Sequence, residues 1–306
     1  MNKSLNKSLY KKLYKNRYIY ILLLPLLLYY VIFAYVPMYG ITLAFKEFNY
    51  AKGITGSTWI GLQNFQNLFI YDDFWTAVKN TIVISGSRLV FEFPFPIVLA
   101  LLLNEISSDK IKRIYQTVFT FPHFLSWVVL GGILMNALND MGVVNQVLSA
   151  LGMEKFSFFT NPTIFRPLLY ITNLWKEAGW GAIIYLAAIA GINPELYEAA
   201  HVDGANRLQQ MRAITWPSIR STAVIMLILA VGQMMNAGFD QVYNLYNAAV
   251  YNVGDILDTF IFRRSFTGAM SFGASTAVGL IKSVIAFTLL FSTNFIAKKM
   301  GEEGIV

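Results

Sequence analysis

The sequence has no cysteine, two histidines and little charge: Asp, Glu, Lys and Arg together make up 13% of 306 residues. A soluble domain carries about twice that share. Without thiols there is no disulfide framework, no thiolate zinc or iron–sulfur site and no cysteine nucleophile. His123 and His201 lie far apart in the chain and make no metal cluster by themselves; neither is assigned a role. No GxxxxGK phosphate loop occurs, and no spacing supports a set of nucleophile, base and orienting group. The expectation is therefore a chain with no catalytic residues, no metal and no cofactor of its own. Apolar residues, by contrast, make up 56% of the chain and the mean hydropathy is +0.51. That composition predicts an all-α polytopic membrane protein, counted in spans of about 20 residues rather than in soluble domains.

The net charge of +7 follows the spans and not a nucleic-acid partner. Residues 1–17 form a basic segment with six of the 24 Lys and Arg, and residues 18–45 then run without one charge. This run is too long for a secretory signal and ends in no cleavage site, so it reads as a retained first helix. Further spans are predicted at about 76–103, 113–138, 167–191, 218–238 and 273–297, six in all. One side of the membrane receives fourteen Lys and Arg, from the amino terminus, Lys110 to Arg113, Arg207 to Arg220 and the tail; the other receives six. Positive residues stay inside, so both termini are expected in the cytoplasm. Residues 46–75, 139–166 and 239–272 are then extracytoplasmic, 76–297 is a five-helix core, and 298–306 is a cytoplasmic tail. Within 46–75, the run from Trp59 to Phe69 suits either a helix lying in the interface or a folded loop.

The cytoplasmic segment 194–217 is too patterned for a simple turn. Asn193 before Pro194 is a helix start, since Asn caps free amides and proline tolerates the first helical position. Glu195 and Glu198 complement the helix dipole, and a short helix is predicted from Pro194 to about Val202. Asp203-Gly204 breaks it, Gly204 supplying a positive φ. A second short helix, about Asn206 to Ile214, places Leu208, Met211 and Ile214 on one face, and Pro217 is expected to end it.

In these residues the chain resembles the binding-protein-dependent ABC transporter permeases. Glu198-Ala199-Ala200, Asp203-Gly204-Ala205, Ile214 and Pro217 match their EAA signature, with Met211 where Phe is frequent and Trp216 where Leu is usual. Gly61 to Phe65, Asn80-Thr81, Trp175-Lys176 to Tyr185, Gly254-Asp255 to Thr259 and Thr293-Asn294 look like the carbohydrate-uptake branch, MalF-like and especially its shorter LplB-type polysaccharide permeases. The resemblance implies the six-helix type I importer (MetI-like) fold with a cytoplasmic coupling-helix hairpin. It also implies a second homologous permease making a heterodimer, two ATP-binding subunits that hold the ATP and Mg, and an extracytoplasmic solute-binding lipoprotein docking on the three outer segments. The substrate it implies is an oligosaccharide, imported through the bacterial plasma membrane. Glu198, Ala199, Ala200, Asp203, Gly204, Ala205, Met211, Ile214 and Pro217 are the expected ATPase-coupling residues. An ion-coupled secondary transporter of a polar solute is the alternative; the paired broken helices or internal repeat it calls for are not evident.

A translocation path needs polar groups at membrane depth, where ionisable residues are costly and face the bundle interior. Arg88 and Glu92, spaced i and i+4, either stabilise the bundle as a pair or line the path. Asn173, Trp175, Lys176, Glu177 and Trp180 form a polar and aromatic cluster suited either to sugar rings or to the membrane interface. Gln233, Asn236, Asp240 and Tyr243 recur at near-helical spacing and either line a cavity or bond between helices. Lys282 is expected to pair with Glu92 or Glu177. Gly131-Gly132, Gly179, Gly181, Gly268, Gly273 and Gly279 permit close helix approach, within the chain or to a second permease.

Overall fold

The computed structural model describes residues 14–267, 270–302, 304 and 305. Most of the basic amino-terminal segment and Gly268 lie outside the described residues. The chain divides into two compact units, 1–67 with 270–280, and 68–269 with 281–306.

In the first unit, helix α1 (Arg17–Phe45) is long and apolar enough to cross a membrane. It widens to a π turn at Val31–Tyr35 and tightens to a 3-10 turn at Tyr39–Phe45. No residue from Arg17 to Met38 is buried. Strands β1 (Lys46–Glu47) and β2 (Thr58–Trp59) pair antiparallel, Lys46 opposite Trp59. The run from Trp59 is therefore not one interfacial helix: after β2 and a turn it makes only the short helix Gln63–Leu68. Its buried Asn64 donates to the carbonyls of Ala44 and Lys46, both at 3.0 Å. A side chain at Gly273 would meet Asn64 Nδ2 and the Lys46 carbonyl at 2.6 Å, so only glycine fits against this hairpin.

The second unit begins with α2 (Asp72–Phe91) and α3 (Pro94–Asn104). The helix starts earlier than the sequence suggests because Asp72 and Asp73 fill its first turn, where acidic groups are favoured. It breaks at Glu92–Phe93, because Pro94 and Pro96 supply no amide protons to continue it. The expected third span is likewise two helices, α4 (Asp109–Thr120) and α5 (Trp127–Leu138), separated by Phe121–Ser126. Ser126 caps α5 by accepting from the Val129 amide. α6 (Val143–Ala150) follows, then α7 (Pro162–Ala190), 29 residues long and capped by Asn161.

α8 (Pro194–Val202) has the predicted bounds. α9 (Arg207–Gly232) does not. Pro217 was expected to end a short helix, but a π turn at Met211–Thr215 widens the chain just before it and the helix runs on. The expected 218–238 span then stops early, because Ala237 and Gly238 both have positive φ, 43° and 76°. α10 (Phe239–Leu245), α11 (Leu257–Phe266) and α12 (Phe272–Lys299) complete the chain. Lys282 of α12 pairs with Asp258 of α11, at 2.5 and 2.6 Å, and not with Glu92 or Glu177; partners brought together by helix rotation are invisible in spacing.

Among the described residues, five helical segments are long and apolar enough to cross a membrane: α1, α2 with α3, α5 with α6, α9 and α12. The sixth long helix, α7, is not among them, because the polar stretch from Asn173 to Glu177 interrupts it. Yet α7 is the packing centre. Ala178, Ala182, Tyr185 and Ile189 bury against Ile97 and Ala100 of α3 and Ile219 and Ala223 of α9. Phe165 and Leu169 bury against Ile84 of α2, Val242 and Leu245 of α10, and Ile256. Any Cβ at Gly179 would overlap the Phe119 carbonyl and the Thr120 amide of α4. Gly179→Ala is therefore expected to lower the melting temperature of the detergent-purified protein, since overpacking costs about 1–3 kcal/mol. Gly132→Ala, where nothing lies within 4 Å, should not. Equal melting would show that α4 and α7 do not touch.

Candidate functional site

Two groups of residues stand apart chemically, one around α8 and one where the helices break. At α8, Asn193 Oδ1 accepts from the Glu195 amide at 3.1 Å. The helix ends in a glycine turn: Gly204, φ +77°, donates to the His201 carbonyl and Ala205 to that of Ala200. Asn206 and Gln209 then cap α9 reciprocally, side chain to amide in both directions, the capping-box arrangement. Tyr197 bonds Thr215 at 2.9 Å inside the π turn. Arg207 donates to the Glu105 carbonyl at 3.0 Å and to Ser107. The hairpin is thus fixed from behind. Its front is open: Glu198, Ala199, Asp203, Gly204 and Pro217 are exposed, and Ala200, Ala205, Met211 and Ile214 are half-buried. Val202 and Leu208 expose apolar surface beside them.

At the breaks, Arg88 Nε and Glu92 Oε1 are 3.5 Å apart, the expected i, i+4 pair. Neither stands alone: Arg88 donates to Gln241 and Asn173 donates to Glu92. Gln241, which spacing did not single out, is buried and donates to the Leu169 carbonyl at 2.7 Å and to Thr172 at 2.8 Å. A cavity of about 280 Å3 opens here, lined by Ser85, Arg88, Glu92, Gln233, Asn236 and Gly238. Gln233 and Asn236 hydrogen-bond to each other.

The expected α7 cluster divides. Asn173, Glu177 and Trp180 share a face, whereas Trp175 is exposed and Lys176 buried. Lys176 Nζ donates to the His123 carbonyl and to Glu177, both at 2.8 Å. His123 Nδ1 lies 2.7 Å from the other Glu177 oxygen, and its ring stacks on Trp180 at 4.3 Å. His123 was passed over; its signal was a polar ring beside proline in an uncharged span. The expected stripe from Gln233 to Tyr243 is not one helical face either, since the left-handed residues Ala237 and Gly238 turn the chain within it. Asp240 is exposed, and Tyr243 stacks on Phe239 and meets Phe262 edge-on at 4.8 Å.

Beyond α10, Arg166 donates to Asn80 and to the Val253 carbonyl, and Asn80 donates to the Asp255 carbonyl at 3.0 Å. Burial pushes the Asp255 carboxyl up, against the opposing hydrogen bonds of Thr259 and Arg263. These polar residues hold the turn before α11.

Residues 92–302 match the family described as binding-protein-dependent transport system inner membrane component. The chain belongs to this family. It is 43% identical to protein LplB of Bacillus subtilis (strain 168), over 94% of this chain and 90% of that protein. It is also 43% identical to the polygalacturonan/rhamnogalacturonan transport system permease protein YteP of the same organism, over 94% of this chain and 89% of that one. In structure it is similar to a chain of a bacterial ABC transporter involved in the import of the acidic polysaccharide alginate. That match has a TM-score of 0.89 at 38% identity, covering 96% of this chain and all of the other. A chain of a bacterial alginate ABC transporter in complex with an alginate pentasaccharide-bound periplasmic protein also matches, with a TM-score of 0.89 at 37% identity, covering 97% of this chain and 99% of the other. The chain is accordingly a multi-pass membrane permease subunit of an ABC importer, which sets aside the ion-coupled alternative.

Lys176 is buried whereas Glu177 is partly exposed, so the main cost of losing the lysine is the His123 carbonyl left without its donor, about 1–3 kcal/mol. Lys176→Met should therefore destabilise the detergent-purified protein by that amount, read by thermal unfolding. Trp175→Ala, one residue away on the exposed side, should shift it by no more than about 0.5 kcal/mol. Similar effects for both would contradict the clamp.

Proposed function

We propose that this chain, with a second homologous permease, forms the path by which an oligosaccharide handed over by an extracytoplasmic solute-binding protein enters the cell. ATP and Mg reside on two cytoplasmic ATPase subunits, and this chain receives their motion through α8 and the start of α9. The observation that carries the coupling assignment is the hairpin's division into a braced back and an open front. Glu198, Ala199, Asp203 and Gly204 present a surface with small residues where another chain can approach closely. Half-buried Ala200, Ala205, Met211 and Ile214 shape it from beneath, and Pro217 is exposed with it.

Loop charge supports the orientation, fourteen Lys and Arg against six, which puts both termini and this hairpin inside. The bareness of α1 supports a second permease, since no residue of this apolar helix from Arg17 to Met38 is buried. An oligosaccharide is supported by the relatives, whose names specify polygalacturonan/rhamnogalacturonan transport and alginate import. Arg88, Glu92, Gln233 and Asn236 around the cavity, with Asn173, Glu177 and Trp180 beside the His123 ring, offer the hydrogen bonds and the aromatic face that a sugar path requires. Trp175, Lys176, Asp240 and Tyr243 are more remote from the cavity: Lys176 is consumed by its carbonyl and carboxylate partners, and Tyr243 by stacked rings.

Gly204→Asp introduces a side chain and a charge at an exposed position of positive φ. The variant is expected in the membrane at ordinary abundance but without its ATPase on co-purification, and without substrate-stimulated ATP hydrolysis. Ordinary association and transport would defeat the coupling assignment.

A further inference from the structure

Along α2 and its C-terminal cap runs a stripe of polar groups that the fold leaves short of hydrogen bonds. Ser85, Arg88 and Glu92 are spaced by three and four residues, hence on one face, and all three line the same cavity. The Ser85 hydroxyl is buried without a hydrogen-bond partner, and Arg88 Nε and Glu92 Oε1, 3.5 Å apart, meet only as an ion pair with no hydrogen bond to either atom. Native interiors rarely leave buried polar atoms short of hydrogen bonds, and an orphan hydroxyl beside a loosely joined ion pair, all on one cavity wall, marks a place where something polar enters.

The guanidinium among them is held in position. Gln241 accepts from its Nη2, and Gln241 is itself fixed by donating to the Leu169 carbonyl and Thr172. Gly238 makes room for it: a Cβ there would overlap Arg88 Nη1. Its bond to Glu92 is loose by contrast. At 3.5 Å the contact is electrostatic and too long for a good hydrogen bond, and Asn173 holds Glu92 by its other oxygen. Arginine has five donors in a planar fork that fits carboxylates, and Gln241 takes one of them.

We infer that Arg88 reads the charge of the transported sugar, a role that rests on the importer reading above. In the empty cavity Glu92 neutralises the guanidinium, as a charge at membrane depth requires. When an acidic oligosaccharide enters, a uronate carboxylate takes the free side of the fork while Asn173 retains Glu92. Gln233 and Asn236, on the cavity wall, meet the ring hydroxyls. The nearby Glu92 carboxylate repels the bound carboxylate, which keeps the site shallow enough to release its cargo, as transit requires. A neutral sugar gains nothing from Arg88.

The test uses the intact importer, permease pair, ATPases and binding protein, reconstituted in vesicles. The probes are galacturonate and mannuronate trisaccharides and their carboxyl-reduced, neutral counterparts. Arg88→Gln is expected to lower the acidic-to-neutral ratio of initial uptake rates by about tenfold or more, the size of a lost charge-assisted hydrogen bond. Glu92→Gln, which removes the competing carboxylate, is expected to raise it. A pair that only braces the bundle would lower both sugars together in both variants, and that result, or an unchanged ratio, would overturn the role of Arg88. Import of neutral sugars alone by the unaltered protein would overturn it too while leaving the importer reading in place; import of neither class would overturn both.

Discussion

A bilayer interior has no water to satisfy a broken helix, so every backbone group freed there must find a partner in the protein. The bond from Lys176 Nζ to the His123 carbonyl is this constraint made visible. A lysine at membrane depth is costly, and so is a helix interrupted at Phe121–Ser126; set together, and joined by Glu177, each answers the other. The ion pair is completed within one turn of α7, so the lysine's charge and the open carbonyl are both settled without solvent.

The same helix meets the other breaks. Where α2 gives way to α3 at Glu92–Phe93, Asn173 of α7 reaches the Glu92 carboxylate. Where α9 gives way to α10 at Ala237–Gly238, Gln241 returns to α7 through the Leu169 carbonyl and Thr172. Three interruptions in three different spans are thus tied to Leu169, Thr172, Asn173 and Lys176, within about two turns of one helix. This accounts for the low apolarity of α7. One face of it is buried in protein, and polar residues on that side are spent on its neighbours' irregular backbone.

Legibility followed the same line. Long apolar runs identify spans because burial in lipid imposes them residue by residue, and 18–45 and 273–297 come close to the helices found. Local caps were equally readable: Asn193-Pro194 and Gly204 specify α8 through their own backbone chemistry. The breaks were harder. Pro94, Pro96 and Pro122 stood in the sequence as warnings, but hydropathy averaged over a span is blind to which carbonyl is left open. Pro217 misled in the other direction, because a π turn can absorb a proline that an unbroken α-helix would not. Pairings such as Lys282 with Asp258, or Gln241 with Arg88, depend on how helices rotate and dock. No single-chain periodicity contains that information, so Gln241 was not singled out and His123 was given no role, although both are polar residues where polarity is expensive.

The misreading of Pro217 bears on mechanism. Had α9 ended there, the hairpin would be a separate knob, connected to the cavity only through a joint. Instead α9 runs for 26 residues from Arg207 to Gly232, roughly 39 Å at about 1.5 Å per residue. One end begins at the Gly204 turn; the other delivers Gln233 and Asn236 to the cavity edge. Between them the π turn, tied to α8 by Tyr197 and Thr215, is a place where the helix can twist without losing its register. Under the proposed coupling, a displacement of α8 therefore need not pass through loops. It turns a single rod whose far end stops at two left-handed residues, and one of these, Gly238, lies against the Arg88 guanidinium. The bare glycine that makes room for Arg88 is also the point at which a rotation of α9 would first be felt by the cavity's charged wall.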